Sequence, residues 1–216
     1  MSFHYRRLSN VAVIAIAAVG LAACGSKSSS TTTPSASGAA SSSASPSTST
    51  ATTTTSAPST VVGKSTDVVV NPAVSAALKH QGITVTAVAP ATAKTTLLFP
   101  VSGGQVVVAT LVGTINHTGG LTFSHSGKSV TLTNFVINTN TKQMTATVGG
   151  QSVPIFALNL ASLKRVSGPH ATVVASGIRL TVTSQAATAL NSGLGVSTFK
   201  GGMAFGIATL TVAVKS

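Results

Sequence analysis

The chain has 216 residues, of which 13 are Lys or Arg and only one, Asp67, is acidic, so its formal net charge is +12. A single carboxylate excludes catalysis by paired carboxylates and metal cages built from several carboxylates. The single cysteine, Cys24, excludes an internal disulfide and a cysteine-cluster zinc site. With 6% charged residues, the surface must be polar mainly through Ser, Thr, Asn and Gln.

Residues 1–23 have the features of an export signal. Arg6 and Arg7 make a positively charged start, and residues 11–23 form a run of apolar or small residues that suits a signal-peptide core and is short for a membrane span. The run ends in Leu21-Ala22-Ala23-Cys24, which resembles the bacterial lipobox. That resemblance implies cleavage before the cysteine and attachment of diacylglycerol to its sulfur. The alternative is an ordinary signal peptide followed by a free thiol.

Residues 24–60 are predicted to be an acylated cysteine followed by a disordered tether. After Cys24 this segment is almost wholly Ser, Thr, Ala, Pro and Gly, and it cannot bury enough apolar area to fold. Two or more acyl chains would hold the protein at the cell membrane, because each buried methylene contributes ~0.8 kcal/mol. We therefore expect a lipid-anchored protein on the extracytoplasmic face. Processing also removes Tyr5, the only tyrosine, and lowers the net charge to +10.

Residues 61–216 are predicted to form one all-β domain with two short helices. This part is rich in Val, Ile, Leu, Thr and Gly, and short apolar runs alternate with turn residues, which is typical of an antiparallel, sandwich-like arrangement. The predicted strands are Val106–Ile115, Leu121–His125, Val130–Ile137, Met144–Val148, Ile155–Leu160, Ala171–Ala175, Ile178–Val182 and Phe205–Val214.

Both helices are predicted from their N-terminal signals. Asn71 and Pro72 supply an N-cap and a proline at the first helical position for a helix over Ala73–Lys79. Thr183-Ser184 begins a second helix over Gln185–Leu190 in the same way. The two segments align at an offset of 112 residues, so one local strand–helix–strand arrangement is expected to occur twice.

Two glycine-rich stretches resemble a known family. They are Phe99–Gly104 and Gly113–Leu121, and the second places a glycine, a histidine and two further glycines before a leucine. This pattern resembles the HtaA-type domain of actinobacterial surface proteins over roughly residues 66–214, a span that also includes Ser176–Thr181 and Ala186–Leu190. The resemblance implies a β-rich extracytoplasmic domain, and characterised members of the family bind haem through an N-terminal tyrosine.

His117 and His125 are the alternative ligand candidates for such a haem. If Thr118-Gly119 turns a hairpin, the two histidines lie roughly 17 Å apart and cannot share one metal ion. Each histidine remains a candidate axial ligand by itself, with a solvated turn residue as the alternative. We predict no metal site of protein ligands and no enzyme activity, because no Gly-x-Ser-x-Gly elbow or base–acid arrangement occurs.

The basic residues of the domain are scattered along the sequence, and only Lys164 and Arg165 are adjacent. No nucleic-acid-reading motif accompanies them, and export also argues against a nucleic-acid partner. A positive surface would instead meet anionic envelope polymers, lipid head groups or acidic proteins, with plain solubility as the alternative. The main functional hypothesis is therefore a non-enzymatic module that binds envelope polymers or surface proteins, without a cofactor. The alternative is binding of haem or a small apolar ligand.

The anchor prediction is tested by Cys24→Ala. This substitution removes the acylated sulfur, so the protein should be released from the membrane or remain unprocessed. Membrane fractionation and metabolic labelling with palmitate measure the two effects. A wild-type protein that stays on the membrane without carrying the lipid label would show that the lipobox assignment is wrong.

Overall fold

The structure is a computed structural model and describes residues 56–215. The predicted signal peptide (1–23), the lipid-attachment site Cys24 and the tether up to residue 55 lie outside the described residues, and those assignments stay predictions. In the part of the chain that the structure describes, no helix combines the length and the apolar character needed to cross a membrane.

Residues 56–215 form twelve strands and two helices, which confirms the prediction of a mainly β antiparallel domain with two short helices. In chain order the elements are β1 (Ser59–Val70), α1 (Pro72–His80), β2 (Thr84–Val88), β3 (Thr92–Ala93), β4 (Leu97–Val107), β5 (Val112–His117), β6 (Gly120–His125), β7 (Lys128–Asn138), β8 (Gln143–Val148), β9 (Gln151–Asn159), β10 (Lys164–Gly168), β11 (Thr172–Val182), α2 (Ser184–Leu194) and β12 (Ala204–Val214).

Eight of the strands close into an antiparallel barrel. Their order is β7-β5-β4-β1-β12-β11-β9-β8, and pairing of β8 with β7 completes the ring. The remaining strands extend it: β6 and then β2 continue from β7, while β3 pairs with β4 and β10 with β11. Closure satisfies the backbone hydrogen bonds that free strand edges would otherwise leave exposed.

The largest difference from the predicted strand pattern concerns the partners of β7. The first part of β7 pairs with β6 and its last part pairs with β5, so β5 and β6 lie end to end along one edge of the same strand. The expected hairpin at Thr118-Gly119 is therefore wrong, because both flanking strands run antiparallel to β7. The predicted strand Val106–Ile115 is also divided, since a turn at residues 108–111 separates β4 from β5.

The core fills the interior of the barrel with inward-facing side chains that alternate with exposed ones. On β12, for example, every second residue from Ala208 to Val212 is buried. The six phenylalanines of the described core pack in three pairs, whose ring centroids lie between 4.7 and 5.7 Å apart: Phe99–Phe135, Phe123–Phe199 and Phe156–Phe205. Edge-to-face and tilted contacts of this kind add to the energy of apolar burial.

The predicted caps begin both helices. The side-chain oxygen of Asn71 accepts a hydrogen bond from the backbone N–H of Ala73 (3.0 Å), and Thr183 accepts one from Ala186 (3.0 Å). The second helix is longer than expected and ends at Gly195, whose φ of 70° favours glycine. It packs against β6, β7 and β9, so α2 is part of the core.

The first helix has a different environment. It buries only Val74 and Leu78, and its start is fixed to the barrel where the Asn71 backbone N–H donates to the Phe205 carbonyl (2.8 Å). The α1 helix therefore projects from the rim of the barrel near the first residues of β12.

Close backbone approach makes Gly113 a sensitive position. Its φ is 150°, and a Cβ there would overlap the carbonyl oxygen of Gln105 on the neighbouring strand. Gly113→Ala is expected to lower the free energy of unfolding by roughly 3 kcal/mol. The matched control is Gly149→Ala, with a φ of 55° and no atom within 4 Å of the added Cβ, which should cost roughly 1 kcal/mol. Equal losses in chemical denaturation would contradict this account.

Candidate functional site

The imidazole of His117 lies inside the barrel, at the last residue of β5. His117 is 3% exposed and Thr66 is fully buried, and these are the two buried polar side chains of the described residues. The Nε2 atom of His117 lies 2.7 Å from Thr66 Oγ1, and its Nδ1 atom lies 3.1 Å from the Phe135 carbonyl oxygen. The histidine thus joins β5 to β1 and β7 across the core.

These partners determine the protonation of His117. A carbonyl oxygen only accepts, so Nδ1 carries the proton that it donates to Phe135, and Nε2 accepts from the Thr66 hydroxyl. Burial lowers the pKa of His117 from 6.5 to about 4, and the hydrogen bond to Phe135 partly opposes this shift. Both ring nitrogens of the neutral imidazole are engaged within the core. Its role as a ligand stays a prediction, and one that these contacts do not favour.

His125 lies farther along the same edge of β7, opposite Lys128 at the first residue of that strand. Its Nδ1 atom is 3.3 Å from the carbonyl oxygen of Leu194, and its Nε2 atom is 3.3 Å from Ser126 Oγ. The Leu194 carbonyl is at the C-terminus of α2, where a donor stabilises the exposed carbonyls of the helix. The contacts of His125 thus attach α2 to β6, and its role as a ligand also stays a prediction.

The structure does not bring His117 and His125 together. Because β6 continues β5 in the same direction along β7, the two histidines lie on the order of 25 Å apart. This separation is larger than the one that a hairpin between them would give. Within residues 56–215 no group of three or more His, Cys, Asp or Glu side chains is placed to hold a metal ion.

A groove lies at the end of the barrel where α1 begins, and we call it the α1 groove. Its volume is about 460 Å³, within the range of roughly 300–1,000 Å³ that small-molecule sites occupy. The floor is apolar and the rim is polar. The floor is formed by Val70, Leu78, Ile83, Val85, Leu97 and Phe205, and the rim by Ser75, Lys79, Thr84, Lys94, Thr95 and Thr96.

Local sequence features build the two walls of the α1 groove. Asn71 and Pro72 turn the chain out of β1 into α1, which directs Leu78 toward the floor and places Lys79 in the last turn of the helix. The opposite wall is the turn between β3 and β4, where the Lys94 backbone N–H donates to the carbonyl of Thr96 (3.1 Å). Two lysines therefore border one apolar concavity from different elements.

The two lysines give the α1 groove a positive charge, and no acidic side chain among the described residues lines the groove to balance it. Asp67, the one acidic side chain of the sequence, lies on β1 and accepts a hydrogen bond from Ser65 Oγ (3.2 Å). It does not line the groove, whereas Lys79 and Lys94 do. An apolar floor with two ammonium groups at its rim suits an apolar ligand that carries carboxylates.

The α1 groove fits one part of a haem and not the other. Its floor suits the apolar ring, and its lysines suit the two propionates. The iron of haem ordinarily takes a His, Cys, Met or Tyr side chain as axial ligand, and none of these residue types occurs among the described residues that line the groove. The groove therefore fits the macrocycle and its carboxylates, and it supplies no ligand for the iron.

A second hollow, between β9 and α2, has a volume of about 500 Å³. It is shallow and wide open, and its lining includes Ser152, Pro154, Gln185 and Thr188 but no charged side chain among the described residues. It lacks the convergent charges that distinguish the α1 groove as the stronger candidate.

Comparison with known proteins supports the fold assignment. No protein-family model and no curated protein matches this chain. The solved C-terminal domain of HtaA from Corynebacterium glutamicum matches with a TM-score of 0.54 and 16% identity, over 73% of this chain and 99% of that domain. The heme binding protein HtaB from the same organism matches with a TM-score of 0.44 and 12% identity, over 73% of this chain and 96% of HtaB. The described domain thus has an HtaA-like fold, as the sequence resemblance implied.

These findings correct the main functional prediction. Binding of envelope polymers or surface proteins is wrong as the first hypothesis, because the described domain has the fold of the HtaA C-terminal domain, and the alternative of haem or a small apolar ligand takes its place as the hypothesis to be argued. The α1 groove agrees with this correction, since its volume is that of a small-molecule site. The scattered positive charge suggested a polymer-binding surface, but the fold gathers two of the lysines around one concavity.

The burial of His117 makes stability depend on pH. Between pH 6.5 and about 4 the unfolded chain binds a proton at His117 that the folded chain does not, so the free energy of unfolding falls as the pH falls through this interval. The expected loss is on the order of 3 kcal/mol. Denaturant unfolding at several pH values measures it.

The matched variant for this prediction is the double substitution Thr66→Val/His117→Leu. Replacing both side chains with apolar groups removes the titration without leaving either one unpaired, so most of the dependence between pH 6.5 and 4 should disappear. His80→Gln, at the exposed end of α1, is the histidine control and should keep the wild-type slope. An unchanged slope in the double variant would show that another group titrates.

Proposed function

We propose that residues 61–216 form a non-enzymatic binding domain for haem or a similarly sized apolar ligand that carries carboxylates, and that this ligand occupies the α1 groove. The observation that carries the proposal is the combination of an apolar floor with two lysines from different elements, Lys79 of α1 and Lys94 of the β3–β4 turn. The HtaA-like fold is consistent with it.

The two kinds of contact contribute differently to binding. Each 100 Å² of apolar surface that the floor removes from water contributes about 2.5 kcal/mol. An ion pair at an exposed lysine contributes only roughly 0.2–1 kcal/mol. The floor therefore supplies most of the affinity, while Lys79 and Lys94 orient the ligand by holding its carboxylates at the rim. When haem is bound, it supplies an iron centre, but the residues of the groove act on the ring and on the carboxylates.

We also propose that the domain works at the outer face of the cell membrane. Acylated Cys24 would hold the chain there, and the predicted tether that follows it, up to the start of β1 at Ser59, would let the domain extend on the order of 30 Å from the anchor.

Titration of the purified protein with hemin, followed by absorbance, tests the proposed function. Thr95→Trp places a large ring at the rim of the groove and should weaken binding at least tenfold, because the ring occupies space that the ligand needs. Lys79→Gln/Lys94→Gln removes both ion pairs and should weaken binding by roughly twofold to thirtyfold.

The control is Lys164→Gln/Lys215→Gln, which removes the same charge from exposed positions that do not line the groove. This variant should bind hemin with the wild-type affinity. Saturable binding that is unaffected by all three variants would place the site elsewhere, and a lack of saturable binding by the wild type would overturn the proposed function.

A further inference from the structure

The conventional iron ligands of the described chain all lie away from the α1 groove. His117 and His125 are engaged in the core and at the end of α2. Met144 is 1% exposed and belongs to the core, and Met203, which is partly buried, packs against that core. His170 lies in the exposed turn between β10 and β11. Within residues 56–215, none of these side chains lines the groove.

His80 is adjacent in sequence to Lys79, which lines the groove. It follows Lys79 in the last turn of α1, where consecutive residues point about 100° apart around the helix axis. Lys79 lines the groove, whereas His80 is exposed and does not line it. The helix therefore presents the ammonium group to the concavity and directs the imidazole toward solvent.

The described side chains that line the groove can contact a porphyrin ring and its carboxylates, but none is of a residue type that ordinarily coordinates the central metal. The apolar floor contacts a ring face, and Lys79 and Lys94 meet carboxylates. Haem and metal-free protoporphyrin share the ring and the two propionates and differ mainly in the central atom. A site built from these contacts distinguishes a ligand with free carboxylates from one without them, and it does not distinguish the two central atoms.

We propose that the α1 groove recognises a tetrapyrrole by its ring and carboxylates and is indifferent to the central metal, so that metal-free and metal-loaded porphyrins are ligands of one site. This inference rests on the proposed function and defines its substrate class as dicarboxylate tetrapyrroles. The consequence is a binding site whose affinity does not change with the oxidation state of the iron.

The test compares three probes on the full chain: hemin, protoporphyrin IX and protoporphyrin IX dimethyl ester. Quenching or enhancement of porphyrin fluorescence follows the two metal-free compounds, and absorbance follows hemin. Hemin and protoporphyrin IX should bind with dissociation constants within about threefold of each other. The dimethyl ester should bind about twofold to thirtyfold more weakly, and this difference should disappear in Lys79→Gln/Lys94→Gln.

Three histidine variants complete the test: His80→Ala, the His125→Ala variant and Thr66→Val/His117→Leu. Each should keep the wild-type ratio of hemin to protoporphyrin IX affinity, including any variant whose stability is reduced. Metal indifference is overturned if hemin binds the wild type more than tenfold tighter than protoporphyrin IX does and one of these variants loses that difference. The proposed function would still stand in that case. If neither hemin nor protoporphyrin IX binds, the proposed function fails and this inference fails with it.

Discussion

The fold depends on the pairing of β7 along both of its edges. One edge receives β6 and β5 in succession, and the other receives β8, so the same strand begins the extension of the sheet and closes the eight-stranded ring. A register shift between Thr133 and Val136, next to Asn134 with a φ of 52°, lets the strand turn from one set of partners to the next. Without the pairing of β7 with β8, each of these two strands would have a free edge and the interior would open to water.

Closure also explains why the most conspicuous histidine of the sequence is found in the core. The inward faces of β1, β5 and β7 converge inside the ring, and there Thr66, His117 and the Phe135 carbonyl satisfy one another. A buried polar pair costs little when every donor and acceptor has a partner, and it ties three strands at one register. The groove lies outside this packed interior, at one end of the barrel, where α1 and the β3–β4 turn shape it.

Local signals predicted the two helices well, because capping is a matter of neighbouring residues. Asn71 and Thr183 accept the hydrogen bonds that their side chains and positions predict. The in-line arrangement of β5 and β6 was not predictable in this way, since Thr118-Gly119 suits a turn and only the distant strand β7 determines its geometry. The α1 groove was missed for the same reason. Lys79 and Lys94 belong to different elements, and no local pattern indicates that the barrel end brings them to one concavity.

Because the domain has almost no carboxylates, salt should act in opposite directions on its stability and on the electrostatic attraction of the α1 groove. With Asp67 as the only acidic side chain, the domain has almost no attraction between side-chain charges for dissolved salt to screen, while the mutual repulsion of its ten basic residues is open to screening. Rising ionic strength should therefore stabilise the folded domain and weaken the hold of Lys79 and Lys94 on a carboxylate ligand. In dilute salt the folded domain should be least stable and the proposed carboxylate ligand held most firmly, and in concentrated salt the domain should be more stable and the ligand held less firmly.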